Sequence, residues 1–113
     1  MNNPTTEQIR VVAIYHIGEQ WYNTYVFNNK PIPKYSRSLD QIAPVYRKVM
    51  GELDALCNQL ADSGSQYWVH AAELIGGLKV SISDLDPLAI FHACYEAIVF
   101  IQKHSNEKDN NPA

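Results

Sequence analysis

The chain has 113 residues, a mass of 12.8 kDa and a formal net charge of -3, and 46% of its residues are hydrophobic. This length suits a single domain with its own core, and the composition excludes global disorder. The net negative charge argues against the diffuse basic surface that binds nucleic acid non-specifically. The charge is unevenly distributed, however: residues 1–50 hold six basic and three acidic residues, which allows a local basic patch.

The first periodic segment begins after Thr5, where Thr5 and Gln8 have the spacing of a helical capping box. Apolar residues then follow on one helix face: Ile9, Val12, Ala13 and Ile17. Gly18 is typical of a helix stop. The next segment, 20–28, is rich in aromatic and β-branched residues and predicts a strand, with Trp21, Tyr25 and Phe27 on one side and Tyr22, Thr24 and Val26 on the other.

Asparagines and two prolines over residues 28–38 predict a surface loop. Ser38 with Gln41, or Asp40 alone, can cap the helix that follows. Its apolar residues repeat at spacings of three and four: Ile42, Val45, Val49, Leu53, Leu56 and Leu60. This pattern predicts a long amphipathic helix.

Residues 67–74 and 78–83 flank Ile75-Gly76-Gly77, and the second segment alternates apolar and polar residues. The pattern predicts a β-hairpin, although the composition of 67–74 would also suit a helix. Asp84 or Asp86 then caps a nearly uncharged helix over 86–103, with Pro87 in its first turn. The polar composition of residues 105–113 predicts a disordered tail.

Helix, strand, helix, hairpin and helix together predict an α+β fold, with about three antiparallel strands packed against three helices in an α/β/α sandwich-like arrangement. One domain is expected over residues 1–104. Particular residues within this order resemble the phage ABA sandwich domain, a family of small phage and prophage proteins. They are the helix end 11–18, the tyrosine-serine entry 35–40 and the segment 87–93. The resemblance implies the same sandwich fold and a phage or prophage origin, and it brings no catalytic residues.

The two cysteines, Cys57 and Cys94, fall in apolar helical patterns, which favour reduced, buried thiols in an intracellular protein. They would come close only if the two helices pack face to face. The N-terminus has neither the basic start nor the apolar run of a secretory signal, and the segment 85–101 is too short and too polar to span a membrane. We therefore expect a cytoplasmic protein, in the host cytoplasm if it is phage-encoded, without membrane contact.

A basic cluster surrounds the proline-stiffened loop and the start of the long helix. It could hold an anion, a nucleotide, a nucleic acid or an acidic protein face, with Tyr35 stacking on a ligand, whereas ordinary solvated lysines would give the same pattern. The cluster comprises Lys30, Lys34, Tyr35, Arg37, Arg47 and Lys48.

A second candidate surface is aromatic. If the helices cover one sheet face only, the other would present aromatic anchors for a protein partner or for a second copy of the chain. These residues are Trp21, Tyr22, Tyr25, Tyr67 and Trp68.

No nucleophile elbow, phosphate loop or zinc-binding histidine pair occurs in the sequence. The four histidines are scattered, and His92 and Glu96 share a helix face as an expected hydrogen-bonded pair. We therefore expect no cofactor and no metal. The favoured function is a non-enzymatic interaction protein that binds a host or viral protein, such as an inhibitor or counter-defence factor. The alternative is a binder of nucleotides or other small anions, including an oligomeric sponge, and an enzyme is the least favoured function.

Overall fold

The computed structural model describes residues 2–109, which form five α-helices joined by short connections. No strand occurs within this range. The helices are α1 (Thr6–Ile17), α2 (Glu19–Phe27), α3 (Leu39–Asp62), α4 (Trp68–Ser83) and α5 (Pro87–Asp109). The predicted α+β sandwich is therefore wrong, and the described chain is all-helical.

Three predicted helix starts are confirmed by their caps. The Thr5 side chain accepts from the Gln8 backbone, and the Gln8 side chain accepts from the Thr5 backbone N–H, at 3.1 and 2.9 Å. The Ser38 hydroxyl caps α3. Asp86 caps α5, because its carboxylate accepts from the Leu88 backbone N–H at 3.0 Å. Each cap satisfies a donor that has no partner inside the helix.

The predicted strand 20–28 is wrong, because these residues form α2. A lone strand leaves its backbone N–H and C=O groups without a ladder, whereas a helix satisfies them internally. The β-favouring side chains do not outweigh this requirement. Tyr22 packs on the core, while Trp21, Val26 and Phe27 remain exposed.

The predicted hairpin is also wrong, because both of its arms and the intervening Gly76-Gly77 lie in the single helix α4. The helical alternative for 67–74 is therefore the right one from Trp68 onward. The apolar residues that face the core repeat every three or four positions: Ala71, Leu74, Ile75, Leu78 and Ile82. Val80, which completed the apparent β alternation, is 70% exposed. The 3.6-residue period thus outweighs the short alternating stretch.

Helices α3, α4 and α5 pack against one another as a three-helix bundle. Helix α1 packs on α5, and α2 packs on α1. The largest buried side chains include Phe91 and Ile98 of α5, Leu53 of α3 and Leu78 of α4. Tyr35 is also buried, so the loop before α3 reaches into the core. The sandwich that the phage family implies is replaced by this bundle.

Both cysteines are free thiols. Burial on α5 raises the pKa of Cys94 to about 12, so its thiolate is strongly disfavoured at neutral pH. Cys57 is partly exposed, and its thiol lies 3.5 Å from the Trp68 carbonyl oxygen. Cys57 thus joins α3 to the start of α4.

Helix α5 continues into the segment predicted as a tail, as far as Asp109, and residues 110–113 lie outside the described range. Between residues 2 and 109, no helix has the length and apolar character needed to cross a bilayer.

Candidate functional site

A pocket of about 250 Å³ opens beside the loop between α2 and α3. The loop, the segment before α1, and helices α1 and α5 all contribute to its walls. Its polar lining consists of Asn3, Lys34, Tyr35, Ser36 and Arg37, and its apolar lining of Pro4, Ile9, Ile32, Pro33 and Phe91. We call this the loop pocket. The predicted basic loop therefore borders a concavity with an apolar side.

The sequence fixes the shape of the loop locally. The Arg37 backbone N–H donates to the Lys34 carbonyl at 3.0 Å, which closes a turn over 34–37. The Lys34 backbone N–H donates to the side-chain oxygen of Gln41 at the start of α3. This turn brings Lys34 and Arg37 to the same pocket.

Tyr35 anchors the loop rather than presenting a stacking surface. Its side chain is only 2% exposed, and its hydroxyl lies 2.9 Å from His16 Nδ1, near the end of α1. The phenol donates to Nδ1 when the imidazole is neutral and carries its proton on Nε2. Burial raises the pKa of Tyr35 to about 12, so the phenol keeps its proton. The predicted stacking role for Tyr35 does not fit this burial.

The loop pocket has a net positive lining. Lys34 and Arg37 are exposed, and no carboxylate occurs among the described residues that line the pocket. Among the side chains that the structure describes, neither Lys34 nor Arg37 forms an ion pair. Two basic residues thus line one concavity that no described carboxylate lines.

The other basic residues predicted for this cluster lie elsewhere. Lys30 and Arg47 are exposed and do not line the loop pocket. Lys48 Nζ donates to the Tyr15 carbonyl at 2.7 Å and lies 4.4 Å from the centroid of the Tyr15 ring. Because Tyr15 is in the last turn of α1, Lys48 satisfies a carbonyl that the helix leaves unpaired. Lys48 therefore links α3 to α1 structurally.

The predicted aromatic surface is divided between two helices. Trp21, Tyr22 and Tyr25 belong to α2, whereas Tyr67 and Trp68 lie at the start of α4. Tyr67 packs against His104 of α5, with ring centroids 4.5 Å apart. The five residues do not share a sheet face, because the described residues form no sheet.

No known protein family, curated protein or solved structure matches this chain. The resemblance to the phage ABA sandwich domain therefore remains a prediction from the sequence.

A second, more open pocket of about 460 Å³ lies beside the segment before α1. His92 and Glu96 both line it, but His92 Nε2 donates to the Asn2 carbonyl at 2.8 Å, instead of making the expected pair with Glu96. Asn3 lines both pockets. Among the side chains of residues 2–105, no three from histidine, cysteine or acidic residues are arranged to hold a metal ion.

His16 is the residue of this region that sequence reasoning missed. Burial, and then the positive charge of Lys48, lower the pKa of His16 from its ordinary value of 6.5. The only signal in the sequence was its place in the last turn of α1, which does not reveal Tyr35 as its partner. His16 is the acceptor that fixes the buried end of the loop.

Acid should weaken the fold through His16. Because its pKa is lower in the folded state, the unfolded chain binds a proton that the native chain does not, as pH falls from 6.5 towards the native pKa. The contribution is therefore present above pH 6.5 and is lost on acidification. We expect the free energy of unfolding in urea to fall less steeply between pH 8 and 5 in His16→Gln than in the parent chain. The other three histidines are the same in both proteins, so equal slopes would contradict this role.

Proposed function

We propose that this protein binds a small anionic ligand in the loop pocket and does so without catalysing a reaction. The observation that carries the proposal is the convergence of Lys34 and Arg37 on one pocket that no described carboxylate lines. Ser36 is the only aliphatic hydroxyl among the described lining residues, and no described histidine or acid lines the pocket to activate it. A binding role fits this inventory better than nucleophilic catalysis.

The charged contacts of such a site set the range of its affinity for an anion. A guanidinium can donate two parallel hydrogen bonds to a phosphate or carboxylate, and a lysine ammonium adds a point charge. Hydrogen bonds to charged groups contribute about 1.5–3 kcal/mol each, but both side chains are exposed and solvent screens them. We therefore expect a simple anion to bind with a dissociation constant of about a millimolar.

Inorganic phosphate is the first probe. Phosphate, titrated against chloride at matched ionic strength, should give saturable amide shifts in a nitrogen–proton NMR spectrum, concentrated in residues 34–37. Arg37→Gln should weaken binding by about tenfold, and Lys34→Gln combined with Arg37→Gln by more, because each removes a charge-assisted contact.

Arg47→Gln is the matched control. Arg47 is also an exposed arginine, but it does not line the loop pocket. The Arg47→Gln variant should therefore bind phosphate with the same affinity as the parent chain. If the shifts do not saturate, or if Arg37→Gln and Arg47→Gln lose equal affinity for phosphate, phosphate is attracted only by the general charge of the surface.

The hypothesis of a host or viral protein partner, or of self-association, stays a prediction. Its best physical support is the exposure of aromatic side chains on α2, where Trp21 is 62% and Phe27 is 89% exposed. These residues do not line the loop pocket, so a protein partner there and an anion in the pocket are compatible.

A further inference from the structure

We infer that the ligand of the loop pocket is an anion carrying one compact apolar group, such as a single-ring aryl phosphate or aryl carboxylate. This inference rests on the proposed anion binding and adds the chemistry of the rest of the ligand. A bare inorganic anion would then bind less tightly than such a ligand. A nucleotide would not fit the pocket with its base inside.

The pocket lining is divided chemically. Lys34 and Arg37 are the basic residues of the lining, while Ile9 of α1 and Ile32 of the loop present apolar surface. Ile9 and Ile32 are only partly buried, and both pack against the core. Apolar side chains beside a pair of cations favour a ligand that removes apolar surface from water while its charge meets the basic residues.

The volume of the pocket limits the size of that apolar group. A cavity of about 150 Å³ holds a benzene ring. The loop pocket, at about 250 Å³, therefore has room for one ring and a small anionic head. Pockets for larger ligands begin at about 300 Å³. A nucleotide places a ribose between its phosphate and its base, so the base would lie outside the pocket when the phosphate meets Lys34 and Arg37.

The two aromatic residues that line the pocket are themselves buried, so the surrounding core holds their side chains in place. Phe91 is fully buried in the core, and Tyr35 is held through its hydroxyl by His16. A preformed apolar wall binds a ring without first ordering side chains, which lowers the entropic cost of binding. The site is thus largely shaped before a ligand arrives.

The test compares three probes by the same NMR titration: inorganic phosphate, phenyl phosphate and adenosine monophosphate. We expect phenyl phosphate to bind about tenfold more tightly than phosphate, because its ring leaves water. Adenosine monophosphate should bind no more tightly than phosphate. Ile32→Ser should abolish the preference for phenyl phosphate over phosphate.

Ile75→Ser is the matched control, because Ile75 is also partly buried against the core but does not line the pocket. It should retain the preference. Ile32→Ala, a milder change, serves if the serine variant unfolds, as judged by far-ultraviolet circular dichroism.

The outcomes separate the two proposals. Equal binding of phosphate and phenyl phosphate would overturn the apolar subsite and leave anion binding intact. Tighter binding of adenosine monophosphate than of phenyl phosphate, or a preference that survives both Ile32 substitutions, would also overturn it. If none of the three probes saturates, the proposed function fails together with this inference.

Discussion

Replacing Phe91 with alanine should lower the free energy of unfolding by about 3–5 kcal/mol, which is a large part of the stability of a domain of this size. Phe91 has no exposed surface and is among the largest fully buried side chains. It belongs to α5, which packs against α1, α3 and α4. Removing the ring loses its burial and leaves a void beside the loop pocket. Urea denaturation followed by circular dichroism would measure the loss.

Phe27→Ala is the matched control, because it makes the same chemical change at a side chain that is 89% exposed. Its effect should stay within about 0.5 kcal/mol. Phe91→Leu retains much of the apolar volume and should fall between the two if Phe91→Ala does not fold. Similar losses for Phe91→Ala and Phe27→Ala would mean that α5 does not form the core in the way described.

The helices that were correctly predicted from the sequence have both a capping residue and a helical repeat of apolar residues. Helix α1 has the capping box of Thr5 and Gln8, and α3 has Ser38 followed by a long 3.6-residue repeat. Local chemistry and core burial agree in these segments, so either signal alone finds the helix. By contrast, Tyr67 accepts no side-chain capping bond at the start of α4, and no side chain caps α2.

For α2 and α4, composition and tertiary context conflict. The tryptophan, tyrosines and valine of α2 favour a strand, but a strand needs a partner that α4 does not supply. If Gly76-Gly77 is taken as a turn, the segment that forms α4 offers two strands for the α2 segment to join. Each strand is predicted from its own residues, and neither pattern tests whether the strand has a partner.

The candidate site was predictable only where it is local. Lys34 and Arg37 lie within one turn, so their convergence follows from four consecutive residues. The other walls come from distant parts of the chain: Asn3 before α1, Ile9 in α1 and Phe91 in α5. Nothing in the spacing of these residues indicates that they meet. The same holds for Tyr35, whose hydroxyl pairs with His16, nineteen positions away.

Gly18→Ala should destabilise the protein by about 1–3 kcal/mol, because Gly18 adopts a backbone conformation that residues with a Cβ rarely reach. Its φ is 92° and its ψ is 151°. It is the single residue between α1 and α2, its N–H donating to the Ile14 carbonyl and its carbonyl accepting from the Tyr22 N–H. The sequence correctly marks it as the end of α1, but its conformation also sets the direction in which α2 leaves. Urea denaturation would measure the loss.

Gly51→Ala is the matched control and should have the opposite sign. Gly51 lies inside α3, and an added Cβ would meet no atom within 4 Å at either glycine. Alanine at position 51 should therefore stabilise the protein by about 0.5–1 kcal/mol, through its higher helix propensity. Since steric contact is absent at both positions, the difference between the two variants isolates backbone conformation. A neutral or stabilising Gly18→Ala would mean that the chain at position 18 takes a conformation open to alanine, and that α1 and α2 are not joined by this turn.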